Sequence, residues 1–229
     1  MFKYLIFLYV LFLNSLSTFG QSQNIKAVYK VTKIVYCTDI NGNRKEVTSL
    51  QYTGFLYQKN NRTIYYQKPL YLKEYPDGNV HIAVNANYQM LIGLPMDTLQ
   101  HVYYMDYDSL ITRSRTELPG ATNKEWNVKQ PFKRGGMTWK FFPDTKEVNG
   151  LKCQKATFTA LDGRLIYEVW FCSDIPVLAG PFTIRGLPGL VVQAVCPVLD
   201  ETYTLESYNT NISPPDSILW PDVFNQPFR

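Results

Sequence analysis

The sequence predicts a mainly-β protein: a curved antiparallel sheet, in the form of a bowl or half-barrel, built as a meander of hairpins with little helix. Three observations carry this expectation. Apolar residues recur with the period of a strand rather than that of a helix through most of the chain. The runs are rich in Val, Ile, Tyr, Thr and Phe, which fit a pleated, half-buried surface. Turn signals such as Asn41-Gly42, Asn60-Asn61, Pro76-Asp77-Gly78 and Asp162-Gly163 interrupt them at short intervals.

The first residues, MFKYLIFLYVLFLNSLSTFG, are expected to be removed. Lys3 gives a positive start, Tyr4 to Leu13 is apolar and uncharged, and Thr18 and Gly20 are small residues suited to a cleavage site. The apolar run is shorter than the ~20 residues a span needs. Residues 1–20 therefore read as a secretory signal peptide, and 21–229 as a single β domain. That domain is exported through the inner membrane, to the periplasm or the exterior, with no transmembrane segment.

Along that domain, Ile25 to Cys37 reads as a first strand, returned through Asn41-Gly42 by Arg44 to Leu50. Tyr52 to Gln58 and Thr63 to Lys68 flank the next turn. Pro76-Asp77-Gly78 separates Leu70–Tyr75 from Val80–Met90, and Leu99 to Arg115 forms one long strand or two shorter ones. Residues 116–136 read as loop, and Met137 to Phe142 as strand. Asp162-Gly163 suits a two-residue type I′ turn. Pairing Leu161 with Arg164 then sets Ala160 opposite Leu165, Phe158 opposite Tyr167, Ala156 opposite Val169 and Gln154 opposite Phe171, a nearly apolar face. The other face of that hairpin carries Lys155, Glu168 and Trp170, a candidate ligand face whose alternative reading is a solvated surface with ordinary cross-strand charges.

The same register sets Cys153 opposite Cys172, at a separation a disulfide tolerates. An even number of cysteines in an exported chain favours two bridges, the second joining Cys37 to Cys196. No zinc-ligand spacing is present, the only histidines being His81 and His101.

Residues 185–193, RGLPGLVVQ, combine a turn with large apolar side chains. Pro188 and Gly189 suit the second and third positions of a type II turn, with positive φ at Gly189. Leu187 and Leu190 are expected to tuck this turn against the sheet or plug its open end, rather than to present a greasy tip to a partner.

KFFPDTKEVNGLKCQKATF, GRLIYEVWFCSDIP and GPFTIRGLPGLVV together resemble the GLPGLI family of secreted proteins, found mainly in Bacteroidetes. The resemblance rests on the W-x-x-x-x-D-T-K-x-V-x-G-x-x-C-x-K-A pattern from Trp139 to Ala156. It continues through Trp170, Gly180, Pro181, Gly186, Leu187, Pro188, Gly189 and Leu190. Val191 stands where the family usually has Ile. The resemblance implies a bowl-shaped antiparallel β domain of no assigned activity. A related domain precedes a glycan-releasing amidase domain in some secreted enzymes, which implies a binding or accessory role.

A net charge of +4, dispersed along the chain, gives no footing for nucleic acid. No G-x-S-x-G, H-E-x-x-H or phosphate-binding glycine loop occurs, no cofactor is implied, and no catalytic residue is assigned. Asp106 and Asp108 would share a strand face, the pattern of a carboxylate pair and also of a solvated strand. The reading is an exported non-catalytic binding or accessory protein of the cell envelope, its partner an envelope protein, peptide, glycan or apolar ligand. The alternatives are an assembly component acting through strand pairing, or a hydrolase or glycan-enzyme accessory domain.

Overall fold

The computed structural model describes residues 24–38, 41–85, 88–116, 126–132 and 137–220. The expected signal peptide and the last residues of the tail lie outside them. The fold is mainly antiparallel β, one large open sheet not closed into a barrel, as the alternating pattern predicts. The strands are β1 (Ile25–Thr38), β2 (Arg44–Lys59), β3 (Arg62–Pro69), β4 (Asn79–Asn85), β5 (Tyr88–Gly93), β6 (Gln100–Asp106) and β7 (Ile111–Thr116), then β8 (Trp126–Pro131), β9 (Lys140–Val148), β10 (Leu151–Thr159), β11 (Leu165–Cys172), β12 (Leu190–Cys196) and β13 (Glu201–Asn209). A single helical turn, α1 (Asp216–Leu219), follows.

Among the described residues, eleven strands form the sheet in the order β8-β7-β6-β3-β2-β1-β13-β12-β11-β10-β9, and β4 and β5 pair with each other. The chain thus builds one arm outward from β1, crosses to the far edge between β8 and β9, and returns strand by strand until β13 pairs with β1.

Period-two alternation places the core. Ile25, Ala27, Tyr29 and Val31 of β1 are buried, as are Tyr203 and Leu205 of β13 and Tyr167, Val169 and Phe171 of β11. What covers this face is the segment between β11 and β12. Ile175, Val177, Ala179, Ile184 and Leu187 are all buried within the same apolar cluster. Side chains of the sheet fasten the segment's backbone. Tyr107 Oη donates to Leu178 O at 2.6 Å, Trp139 Nε1 to Arg185 O at 2.8 Å, and Leu178 N to Gln58 Oε1 at 2.8 Å. Tyr29 Oη holds the adjoining strand through Val191 O at 3.0 Å.

The expectation for RGLPGLVVQ is met in its packing and corrected in its geometry. Leu187 is 7% exposed and Leu190 fully buried, so the segment is an internal plug. The positive φ belongs to Gly186, at +78°, and not to Gly189, so there is no type II turn at Pro188-Gly189. Gly189 is required for a different reason. A Cβ there would lie 2.0 Å from the carbonyl oxygen of Cys172.

The β10–β11 hairpin has the expected register, with Gln154 opposite Phe171, Lys155 opposite Trp170, Ala156 opposite Val169 and Phe158 opposite Tyr167. Its turn is longer than the two-residue form. Gly163 N bonds to Ala160 O at 3.0 Å and Ala160 N to Arg164 O at 2.9 Å, with Gly163 at φ +83°. That is a type I turn closed by a left-handed glycine, and a bulge before Thr159 and Leu165 restores the register.

Other boundaries shift for local reasons. Arg44 to Lys59 is one strand, since no turn residue parts Leu50 from Tyr52. Leu70–Tyr75 is not extended. Glu74 N and Tyr75 N both return to Tyr71 O at 2.9 Å, forming a 3₁₀ turn over Tyr71–Lys73. Val80–Met90 divides into β4 and β5. β8 lies within the expected loop 116–136, the rest of which falls mostly outside the described residues. The tail packs back on the sheet as far as Trp220. Leu219 is buried with Tyr57, Ile64, Val102 and Tyr104 in a second apolar cluster, on the face away from the plug.

No disulfide joins the cysteines, and all four are free thiols. Cys153 and Cys172 stand just beyond the last ladder pair of β10 and β11, but the Cys153 thiol is turned along its own strand and donates to Leu151 O at 3.3 Å. Burial, then the neighbouring Cys172, hold Cys153 above the ordinary thiol pKa. Cys37 and Cys196 are out of reach. Cys196 faces Glu201, Glu201 faces Lys33, and Cys37 lies four residues further along β1, about 13 Å at the strand rise, against a Cα limit near 7 Å. Burial pushes the Cys196 thiol up to about 11, so it is a protonated core side chain at neutral pH.

Candidate ligand pocket

The alternation that buries β1 predicts an apolar residue where Lys33 stands, two positions after Val31. Likewise Glu201 precedes Tyr203 and Leu205 on the inward face of β13. The ladder sets Lys33 directly opposite Glu201. Lys33 Nζ meets Glu201 Oε1 at 3.3 Å, and the other carboxylate oxygen accepts from Tyr203 Oη. Glu201 is 2% exposed, whereas Lys33 reaches outward. A buried carboxylate is retained only when paired in this way.

Lys33 of this pair lines a pocket of about 480 Å³ at one end of the sheet, with Glu201 buried behind it. Lys33–Tyr36 of β1, Arg44, Leu50 and Tyr52 of β2, and Leu199 and Asp200 of the turn before β13 form its base. Ile92–Pro95, following from β5, and Phe182 of the plug face them. The volume is within the usual range for small-molecule sites. On the rim, Arg44 pairs with Asp200 at 2.7 Å and stacks over the Tyr36 ring at 4.1 Å. Tyr71 Oη donates to Pro95 O at 2.7 Å, and Gln100 Nε2 donates to Asp97 O at 2.9 Å, so the wall between β5 and β6 is tied to the sheet.

His101 is the distinctive member of the wall. Its backbone is left-handed, φ +51°, a conformation uncommon outside glycine. Its ring packs edge-on against Phe182, with centroids 5.4 Å apart, and Phe182 is itself at φ +52°. Buried His101 Nδ1 has no hydrogen-bond partner among the described residues. Burial depresses the His101 pKa, with Glu201 opposing and Lys33 reinforcing the shift. His81, hydrogen-bonded to Asp77 at 2.6 Å on the surface, is shifted the other way by that carboxylate. The two histidines are therefore expected to titrate on opposite sides of about pH 6.5, read by NMR of the imidazole protons. The sign for stability follows. A histidine that binds its proton less readily when folded contributes above the unfolded pKa, and that contribution falls away as pH drops below about 6.5. Replacing His101 should flatten the acid limb of a stability–pH curve; an unchanged limb would contradict the depressed value.

The expected ligand face is assembled elsewhere. Lys155, Glu168 and Trp170 do meet, on the face of β10 and β11 away from the plug. Lys155 Nζ lies 3.0 Å from Glu168, and Lys146 Nζ sits 4.3 Å over the Trp170 ring while donating to Gln193 Oε1 at 2.7 Å. The polar groups of this half-buried face pair with one another. Asp106 and Asp108 do not share a strand face, since β6 ends at Asp106. Asp106 accepts from the backbone N–H of Asp108 and Ser109, and Asp108 accepts from Asn61 Nδ2 at 2.7 Å, both serving the β6–β7 turn. Among the described residues no group of three or more His, Cys, Asp or Glu is placed to hold a metal ion, and no helix is long and apolar enough to cross a membrane. Edge strand β9 carries Pro143 and pairs with β10 through an irregular register, features that discourage added strands.

Fold and pocket together define an open antiparallel β-sheet protein with a plugged inner face and a ligand-sized recess at its end. No family model matches the chain, and no curated protein does. Among solved structures it is similar to PNGF-II in two crystal forms, at 15% identity and a TM-score of 0.48, over 87% of this chain and 30% of that one. It is also similar to a DUF1329 family protein from Desulfovibrio piger, at 8% identity and a TM-score of 0.29, over 92% of this chain and 94% of that one. The chain spans about 30% of the length of PNGF-II.

Proposed function

We propose that the chain is an exported, non-catalytic binding protein of the cell envelope, of the GLPGLI type, and that the pocket above Lys33 and Glu201 is its ligand site. The observation that carries this reading is the pocket itself. It is a recess of about 480 Å³, walled mainly by apolar and aromatic side chains, with His101 converging on it. Apolar walls with few fixed polar groups are the usual make-up of small-molecule sites. The three thiols that are buried do not line the pocket, and Cys153 and Cys196 are held protonated by burial, so neither of these two is a ready nucleophile.

The test uses a neutral apolar fluorophore, N-phenyl-1-naphthylamine, titrated into the purified protein. Saturable binding at one site per chain is expected. Leu50→Trp, which fills the base of the pocket, should weaken it by about tenfold or more while circular dichroism is unchanged. Absence of saturable binding, or binding indifferent to Leu50→Trp, would overturn the reading.

A further inference from the structure

The charges around the pocket are closed in pairs, and this limits what can enter. Lys33 is matched by Glu201 at 3.3 Å and Arg44 by Asp200 at 2.7 Å. Both oxygens of Glu201 are engaged, by Lys33 and by Tyr203. A carboxylate brought into the recess would share Lys33 with a carboxylate already there, and Asp200 stands at the rim. An ammonium would face Lys33 and Arg44. In either case the newcomer gives up its water for a site whose formal charges already sum to zero, which is costly without a partner of its own. The rest of the wall is mainly apolar, from Val35, Leu50, Ile92, Leu94 and Leu199, with Tyr36, Thr38, Tyr52 and Gln100 also lining it. The imidazole of His101 stands apart from the two ion pairs. Its Nδ1 is buried without a partner among the described residues, so a ligand could meet only the Nε2 side of a ring that the left-handed backbone keeps against Phe182 at the pocket wall. A neutral imidazole offers one donor and one acceptor, which suits a group able to be either.

We propose that the pocket takes an uncharged, mostly apolar molecule bearing a single hydrogen-bonding group, a hydroxyl or an amide, that engages the His101 imidazole. This rests on the pocket being the ligand site. Burial keeps the ring neutral at physiological pH, in keeping with an uncharged ligand.

The experiment compares n-decanol, decanoate and decylammonium as competitors of N-phenyl-1-naphthylamine near about pH 8, where the last two are charged. Decanol should displace the fluorophore with an affinity about tenfold or more above that of either ion. Decanoate should gain affinity when the pH is lowered towards its own pKa. His101→Phe keeps a ring against Phe182 and removes the hydrogen bond. It should weaken decanol by about threefold to tenfold, and by clearly more than it weakens the fluorophore, whose hindered diarylamine N–H is the poorer hydrogen-bonding group. If the fluorophore binds but either ion competes as well as decanol, the ligand class is wrong and the pocket reading survives. A folded His101→Phe protein with unaltered decanol affinity would remove His101 from the proposal. If neither the fluorophore nor any of the three binds, the pocket reading falls and this inference with it.

Discussion

Replacing Gly189 by alanine is expected to leave little folded protein. The added methyl would lie 2.0 Å from Cys172 O, 2.6 Å from Cys172 C and 2.7 Å from Ser173 Cα. All three are backbone atoms of the strand end and turn beside β12, so no side chain can swing away to make room. Relief requires β12 to part from β11 at its first ladder pair, Cys172 with Leu190, and breaks the bond from Leu190 N to Ile175 O at 2.9 Å. It also loosens a plug whose apolar side chains pack into the core on the inner face. A loss of about 4 kcal/mol or more is expected, at the extreme of single substitutions. Pro188→Ala, at an exposed neighbour, should cost about 1 kcal/mol or less. Thermal melts of the two variants beside the parent check this. A Gly189→Ala protein melting within a few degrees of the parent would show that the approach is not as close as described.

Deleting residues 213–229 should be the second large loss. Leu219 is 3% exposed, and Trp220 packs edge-on against Tyr104 with centroids 5.3 Å apart beneath the Arg113 guanidinium. Lys59 pairs with Asp216 at 2.9 Å, but that contact is largely in water and adds little. The cost comes from uncovering Tyr57, Ile64, Val102 and Tyr104, and is about 3–5 kcal/mol by analogy with large core truncations. In a domain of this size that is on the order of 10 °C in melting temperature. Leu219→Ala alone should reproduce about half of it. An unaltered melt would mean that the tail contributes no packing.

The fold was largely legible because strand alternation reports directly on which face is buried. The β10–β11 register could be counted from one turn signal, since every facing pair on the apolar side agreed with it. Cysteine chemistry was less legible: register sets which residues face each other, not which rotamer a thiol adopts, and Cys153 turns away. The three-residue turn was hidden because Asp-Gly suits both lengths, and the compensating bulge restores the pairing further along. The pocket is signalled only by exceptions to the alternating pattern. Lys33 and Glu201 each interrupt an apolar period on an inward face, a signal present in both strands. Only the pairing of β1 with β13 brings them together, and local patterns do not disclose a partner so distant in sequence. Nor does anything in the sequence around His101 announce its left-handed backbone, which arises from the irregular pairing where Gln67 meets Gln100.

The meeting of β1 and β13 in the middle of the sheet governs the order of assembly. Residues 25–38 find their second neighbour only once 201–209 are available, so each arm can form early as a local meander while the seam between them must wait. Long-range closure of this kind makes for a slow, millisecond-to-second rate-limiting step and a transient with a bare strand on each half. Until that seam zips, Lys33 in the recess has no countercharge, because Glu201 arrives with the other half.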